Sequence, residues 1–259
     1  MVAETKSLEF ESLPLMAVEI RFHADAAAFK MNLRAAATIE EAFLSHGLQA
    51  EAIYDRREFP ASKPDISAPT LGLQQVAGKD SEMGITVALQ DTMLKVEWRK
   101  QPGDQARPYP RYPALEQKVI WALGLMDQIA DGATFSPTIS NMTYANFVPA
   151  EQPSGAALAL RILQGRFRDS VPPDALQVHE LHFRWRQPSG LDRGLLLAEA
   201  QREMGEEKDA GFLLRTITGK RISGEPPIEA LRQCHWDLQR FFEECTSEEA
   251  RMGWGQKRG

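Results

Sequence analysis

The segment from Ile228 to Cys245 constrains the fold more than any other stretch of this chain. Ile228, Leu231, Cys234, Leu238, Phe241, Phe242 and Cys245 recur at helical spacing, which gives one helix a wide apolar stripe. Gly224-Glu225-Pro226-Pro227 introduces it, and a first helical turn tolerates proline because the missing N–H has no partner there anyway. A stripe of that width has to be covered, so the helix is a core element first and a partner surface second. His235 and Trp236 flank the stripe and are the residues on this helix with a candidate functional role.

The runs upstream supply what covers it. Ile139 to Val148, Leu176 to Arg186, Leu195 to Arg202 and Phe212 to Thr218 read as strands, with a short unclassified apolar stretch from Ala156 to Leu163. The first half has a similar order. Val18, Ile20 and Phe22 alternate with Glu19 and Arg21, the period of a half-buried strand. Asp25 is expected to cap a helix with the stripe Phe29, Leu33, Ala36, Ile39 and Phe43, ended by Gly47. Tyr54 to Asp80 reads as a long connection with a short strand near Leu71 to Gln75. Ile85, Val87 and Leu89 face Leu94, Val96 and Trp98 across Asp91-Thr92 as a hairpin. A Pro-rich loop, Gln101 to Pro113, then leads into a helix with the stripe Leu115, Val119, Ala122, Met126 and Ile129.

Each half therefore reads strand, helix or loop, strands, helix. The expectation is an α+β fold of antiparallel sheet with packed helices, as two similar β-rich halves each closed by a helix. The halves are 1–132 and 133–259, joined in one compact body. Val18-Glu19-Ile20-Arg21, Val96-Glu97-Trp98-Arg99 and Glu180-Leu181-His182-Phe183-Arg184 echo one another. A duplication and ordinary amphipathic strands with cross-strand charge pairs both account for that echo.

Composition narrows the function. A net charge of −6 argues against a general binder of nucleic acid or anionic membrane, which needs a positive field. The first ten residues lack the basic and apolar blocks of a secretory signal, and no apolar run approaches the roughly 18 residues of a membrane span. Cys234 and Cys245 are eleven positions apart on one helix, about 16 Å of rise, too far for a disulfide. Reduced cysteines and a cytoplasmic location are expected.

Catalytic motifs do not emerge. His179 and His182 are three apart in an alternating segment, so they point to opposite faces and share no metal. No Gly-x-Ser-x-Gly elbow, phosphate loop or dinucleotide fingerprint occurs, and both cysteines lie in the apolar stripe. No catalytic residue, metal or cofactor is assigned. The suggestive run is Phe183-Arg184-Trp185-Arg186, where His182, Arg184 and Arg186 share one strand face, with Arg21 and Arg99 as candidates beside them. Such a face suits a nucleotide, an RNA strand or an acidic peptide. Salt bridges to Glu19, Glu97 and Glu180 would instead neutralise it. Tyr109 and Tyr112, in a Pro-rich run that either docks a partner or stiffens the start of a helix, and Trp236 are the candidate partner surface. The leading expectation is a non-enzymatic interaction or accessory factor that binds another protein. A binder of nucleotide or RNA, and a hydrolase whose residues meet only in three dimensions, are the alternatives.

Several landmarks carry a resemblance. Leu13-Pro14-Leu15 leads into Val18-Glu19-Ile20-Arg21-Phe22, Tyr112-Pro113 precedes a helix containing Trp121, and Tyr144 and Asn146 share a strand. Leu231, His235, Phe242 and Thr246 follow on the closing helix, with Trp254-Gly255 beyond. Together they resemble a sporadically distributed bacterial family of about this length, known chiefly as hypothetical proteins. Pro14 stands alone where that family usually has a double proline. The resemblance implies an α+β fold in a bacterial cytoplasm, with no established activity and no catalytic residue to carry over. The family's patchy distribution is similar to that of mobile or host-defence genes, which implies a role in defence or stress.

Overall fold

A computed structural model describes residues 15–27, 29, 31–56, 71–100, 109–130, 134–149, 159, 161–171, 180–187, 190–204 and 207–254. Leu13, Pro14, His179, Gly255 and residues 101–108 lie outside them. The fold is α+β, and the first half runs β1 (Leu15–His23), α1 (Leu33–Ser45), β2 (Gln49–Arg56), β3 (Leu71–Asp80), β4 (Ile85–Leu89), β5 (Met93–Arg99) and α2 (Tyr112–Ile129). The second runs β6 (Ile139–Pro149), α3 (Gly165–Asp169), β7 (Glu180–Arg186), β8 (Leu191–Met204), β9 (Glu207–Arg221), α4 (Pro227–Cys245) and α5 (Glu248–Gly253). Strand, helix, antiparallel strands, helix thus occurs twice, as the hydrophobic periods imply.

Two local readings need correction. α1 begins at Leu33 with Asn32 as its cap, because the Asn32 side chain accepts from the Ala35 N–H at 2.9 Å. Asp25 instead accepts from the Thr138 hydroxyl at 3.0 Å, and Phe29 lies ahead of the helix. The short strand expected near Leu71 to Gln75 is present and extends to Asp80 as β3, while β2, reaching Arg56, takes up the start of the expected connection. Cross-strand pairing from Gln49↔Lys79 to Arg56↔Leu71 supplies the hydrogen bonds that outweigh weak local propensity. Gly78 in β3 looks like a strand breaker but serves packing: a Cβ there would overlap the Phe43 ring of α1.

The chain divides into two compact units. One comprises Arg21–Trp98 and Pro110–Thr138. There β2, β3, β4 and β5 form an antiparallel meander, and Ile39, Phe43, Val76, Val87, Leu94 and Val119 are fully or nearly fully buried. The Asp80 carboxylate accepts from the Glu82 and Met83 N–H groups of the β3–β4 turn and meets Lys118 of α2 at 3.3 Å.

The other unit comprises Met1–Ile20, Arg99–Tyr109 and Ile139–Gly259. Its strand order is β6-β9-β8-β7, antiparallel throughout. One face of these strands carries α4, whose Leu231, Cys234, Leu238, Phe241 and Cys245 are completely buried. α4 therefore occupies the place its stripe demands, and Ser247 caps one more short helix after it. The end of α4 is tied down where Gln164 donates to the Glu243 carbonyl at 2.6 Å and Ser247 N–H donates to the Ile162 carbonyl at 2.7 Å.

Candidate functional site

Directly opposed residues of an antiparallel pair project to the same face, so the register of β7, β8 and β9 assigns every side chain a side. Toward α4 point Leu181, Phe183 and Trp185 of β7, Arg193, Leu195 and Leu197 of β8, and Leu214, Thr216 and Thr218 of β9. Away from α4, the rows are His182–Leu196–Arg215, Arg184–Gly194–Ile217 and Arg186–Asp192–Gly219. His182, Arg184, Arg186 and Arg215 are exposed, and Leu196 and Ile217 are partly so. The alternation of β7 is thus realised: the aromatics face the core and the charges face away from it.

This face is basic. Arg186 makes a bidentate pair with Asp192, at 2.8 and 3.2 Å. That hydrogen bond and charge hold the Asp192 carboxyl below the usual carboxylate range, with Arg184 and Arg221 adding to the effect. Arg184, Arg186, Arg215 and Arg221 stand against Glu180 and Asp192, four cations to two anions among the described side chains of these strands on this side. Arg184 and Arg215 make no hydrogen bond or ion pair among the described residues. The field is local, on a chain whose net charge is −6.

The candidate residues separate. His182, Arg184 and Arg186 come together as expected, but the neighbour of β7 is β8, while Arg21 and Arg99 lie on β1 and β5. Among the described residues Arg186 takes Asp192, and Glu97 takes Lys95 at 3.0 Å. Tyr109 and Tyr112 are half-buried, and the Tyr112 hydroxyl donates to Glu116 at 3.3 Å. Arg111 between them has φ 75° just before α2, and Pro113 sits in its first turn, so the segment shapes the start of a helix. Trp236 is 40% exposed, with the Arg240 guanidinium 4.6 Å over its ring.

Beneath α4 lies a feature that sequence reading missed. Arg193, 6% exposed, donates from Nε to Asp237 at 2.9 Å and from Nη2 to its other carboxylate oxygen, and Asp237 is 2% exposed. Nη1 reaches Glu244 at 2.7 Å, and the guanidinium lies 5.3 Å from the Phe241 ring centroid. Arg193 shares its parity with the inward Leu195 and Leu197, which was the available signal. Among the described residues no group of three His, Cys, Asp or Glu side chains could hold a metal.

His235 on α4 lies 6.3 Å from the Tyr144 ring and beside the Gln239 amide. Burial pushes its imidazolium down to about 4 from the ordinary 6.5. The unfolded chain then binds the proton more readily, so this stability is present above about pH 6.5 and lost as pH falls toward 4. Denaturant unfolding is expected to show about 2 kcal/mol less stability near pH 5 than near pH 7.5, in excess of a His235→Gln variant measured identically. Equal pH dependence in both proteins would contradict it. Cys234 and Cys245 are both buried thiols, and burial pushes Cys234 up to about 12, which suits inert packing over nucleophilic chemistry.

No protein-family model, curated protein or solved structure matches this chain. Among the described residues no helix is long and apolar enough to cross a membrane.

Proposed function

We propose that this chain is a non-enzymatic accessory factor that docks a protein partner on the face of β7, β8 and β9 turned away from α4. The observation that carries the reading is the composition of that face. Arg184 and Arg215 are exposed cations without an ion-pair partner among the described residues, and Leu196, Ile217 and Leu213 lie between and beside them partly exposed. A carboxylate-rich surface with apolar residues among its acids complements both features. The resemblance described above supports a bacterial, cytoplasmic setting, with defence or stress as the process served.

The competing reading, a nucleotide or single RNA strand on the same arginines, lacks its second ingredient. Base recognition on an open sheet relies on aromatic rings as stacking platforms. Phe183 and Trp185 face the other way, and both pack against Phe167, at 5.4 and 5.5 Å between ring centroids. The test is the double reversal Arg184→Glu with Arg215→Glu, at two exposed positions. It is expected to abolish binding of an acidic, leucine-containing peptide without changing thermal stability. Undiminished peptide binding by that variant would sink the proposal.

A further inference from the structure

A second surface of the same unit has a partner written into its register. Among the described residues β7 pairs with β8 alone, so its other backbone edge is the end of the strand order β6-β9-β8-β7. An exposed edge is a template for another strand. We propose that β7 pairs antiparallel with β7 of a second copy of this chain, about a two-fold axis through Phe183.

The sequence of β7 selects that occupant and that register. Continuity of the apolar face requires opposed residues to share parity, which places the axis through a residue and not between two. An axis through Phe183 is the register that pairs all seven residues, Glu180–Arg186, and centres them. Glu180 then faces Arg186 of the other copy at both ends, and Leu181 faces Trp185. An axis through Arg184 would oppose two arginines, and one through His182 would leave Trp185 and Arg186 without a β7 partner. In the centred register each Arg186 lies between Asp192 on its own β8 and Glu180 across the interface. Leu181, Phe183 and Trp185 are only partly buried where they pack against the core, so a second copy would extend the cover over that layer. Two-fold pairing of one patch with itself is the commonest way soluble chains associate. It would also place two basic faces side by side.

A pair of single strands is small among specific interfaces, so dimer is expected at roughly tens of micromolar chain. Sedimentation velocity of the full chain over a concentration series should show a monomer–dimer equilibrium. Glu180→Arg opposes arginine to arginine at both ends and should raise the dissociation constant about tenfold. Arg186→Glu opposes glutamate to glutamate and should do the same. An equimolar mixture of the two variants should recover dimer, because both end contacts then set an arginine against a glutamate in the mixed pair. Circular dichroism of each variant, matching that of the unaltered chain, keeps the comparison one of association and not of folding. A monomer at every concentration would overturn the pairing. So would dimerisation unaffected by Glu180→Arg, or a mixture that stays as dissociated as its parts.

Discussion

Asp237→Ala is expected to lower the unfolding free energy by about 3–5 kcal/mol, because it leaves a guanidinium buried without its main counter-ion. Burial pulls the Arg193 pKa down, yet the Asp237 hydrogen bonds and charge, with Glu244 behind them, hold it above the ordinary arginine value. A guanidinium keeps its proton in proteins, so Arg193 stays a cation when Asp237 is removed, and Glu244, with 41% of its side chain exposed, neutralises it only in part. The pair itself need not be stabilising, since two desolvated charges give back most of their attraction. Replacing both partners by apolar residues, Arg193→Met with Asp237→Leu, is accordingly expected to be near neutral or mildly stabilising. Denaturant unfolding of the two variants separates these effects. An Asp237→Ala loss below about 1 kcal/mol would show that water or Glu244 fully serves Arg193.

Phe241→Ala is the second large effect, expected at about 3–5 kcal/mol from lost burial and the cavity left behind. The ring is completely buried, 4.9 Å from Trp185 and 6.2 Å from Phe167 between centroids, and it supports the Arg193 guanidinium from below. Because Arg193 is common to both sites, Asp237→Ala combined with Phe241→Ala should be less destabilising than the sum. Strict additivity would mean that the cation–π contact couples nothing. Both substitutions lie under the sheet, so neither alters the arginines on the opposite face.

The fold was legible to the extent that side-chain period survives in the sequence. The α4 stripe, the Ile85–Trp98 hairpin and the inside–outside alternation of β7 were readable because each needs only neighbours along the chain. β2 and β3 were obscured because neither Gln49–Arg56 nor the glycine-interrupted Leu71–Asp80 keeps a clean apolar alternation, and their evidence is the pairing of Gln49–Arg56 with Leu71–Lys79. The α1 start was misplaced because Asp25 and Asn32 are both capping residues, and the Thr138 hydroxyl, far away in sequence, decides between them. The same division holds at the site. His182, Arg184 and Arg186 could be grouped from one strand, but adding Arg215 and Asp192 requires the register of three. Arg21 and Arg99 were grouped with them on pattern alone, and they lie on β1 and β5.

The face bearing Arg184 and Arg215 is expected to take a carboxylate-rich protein surface. The most direct measurement is fluorescence anisotropy of the full chain against two labelled probes matched in formal charge. One is a peptide in which glutamates alternate with leucines, and the other is an oligouridylate. The peptide should bind, added salt should weaken it, and Arg184→Glu with Arg215→Glu should abolish it, while the oligouridylate should bind at least about tenfold more weakly. Tighter binding of the oligouridylate, or peptide binding indifferent to the reversed charges, would contradict it.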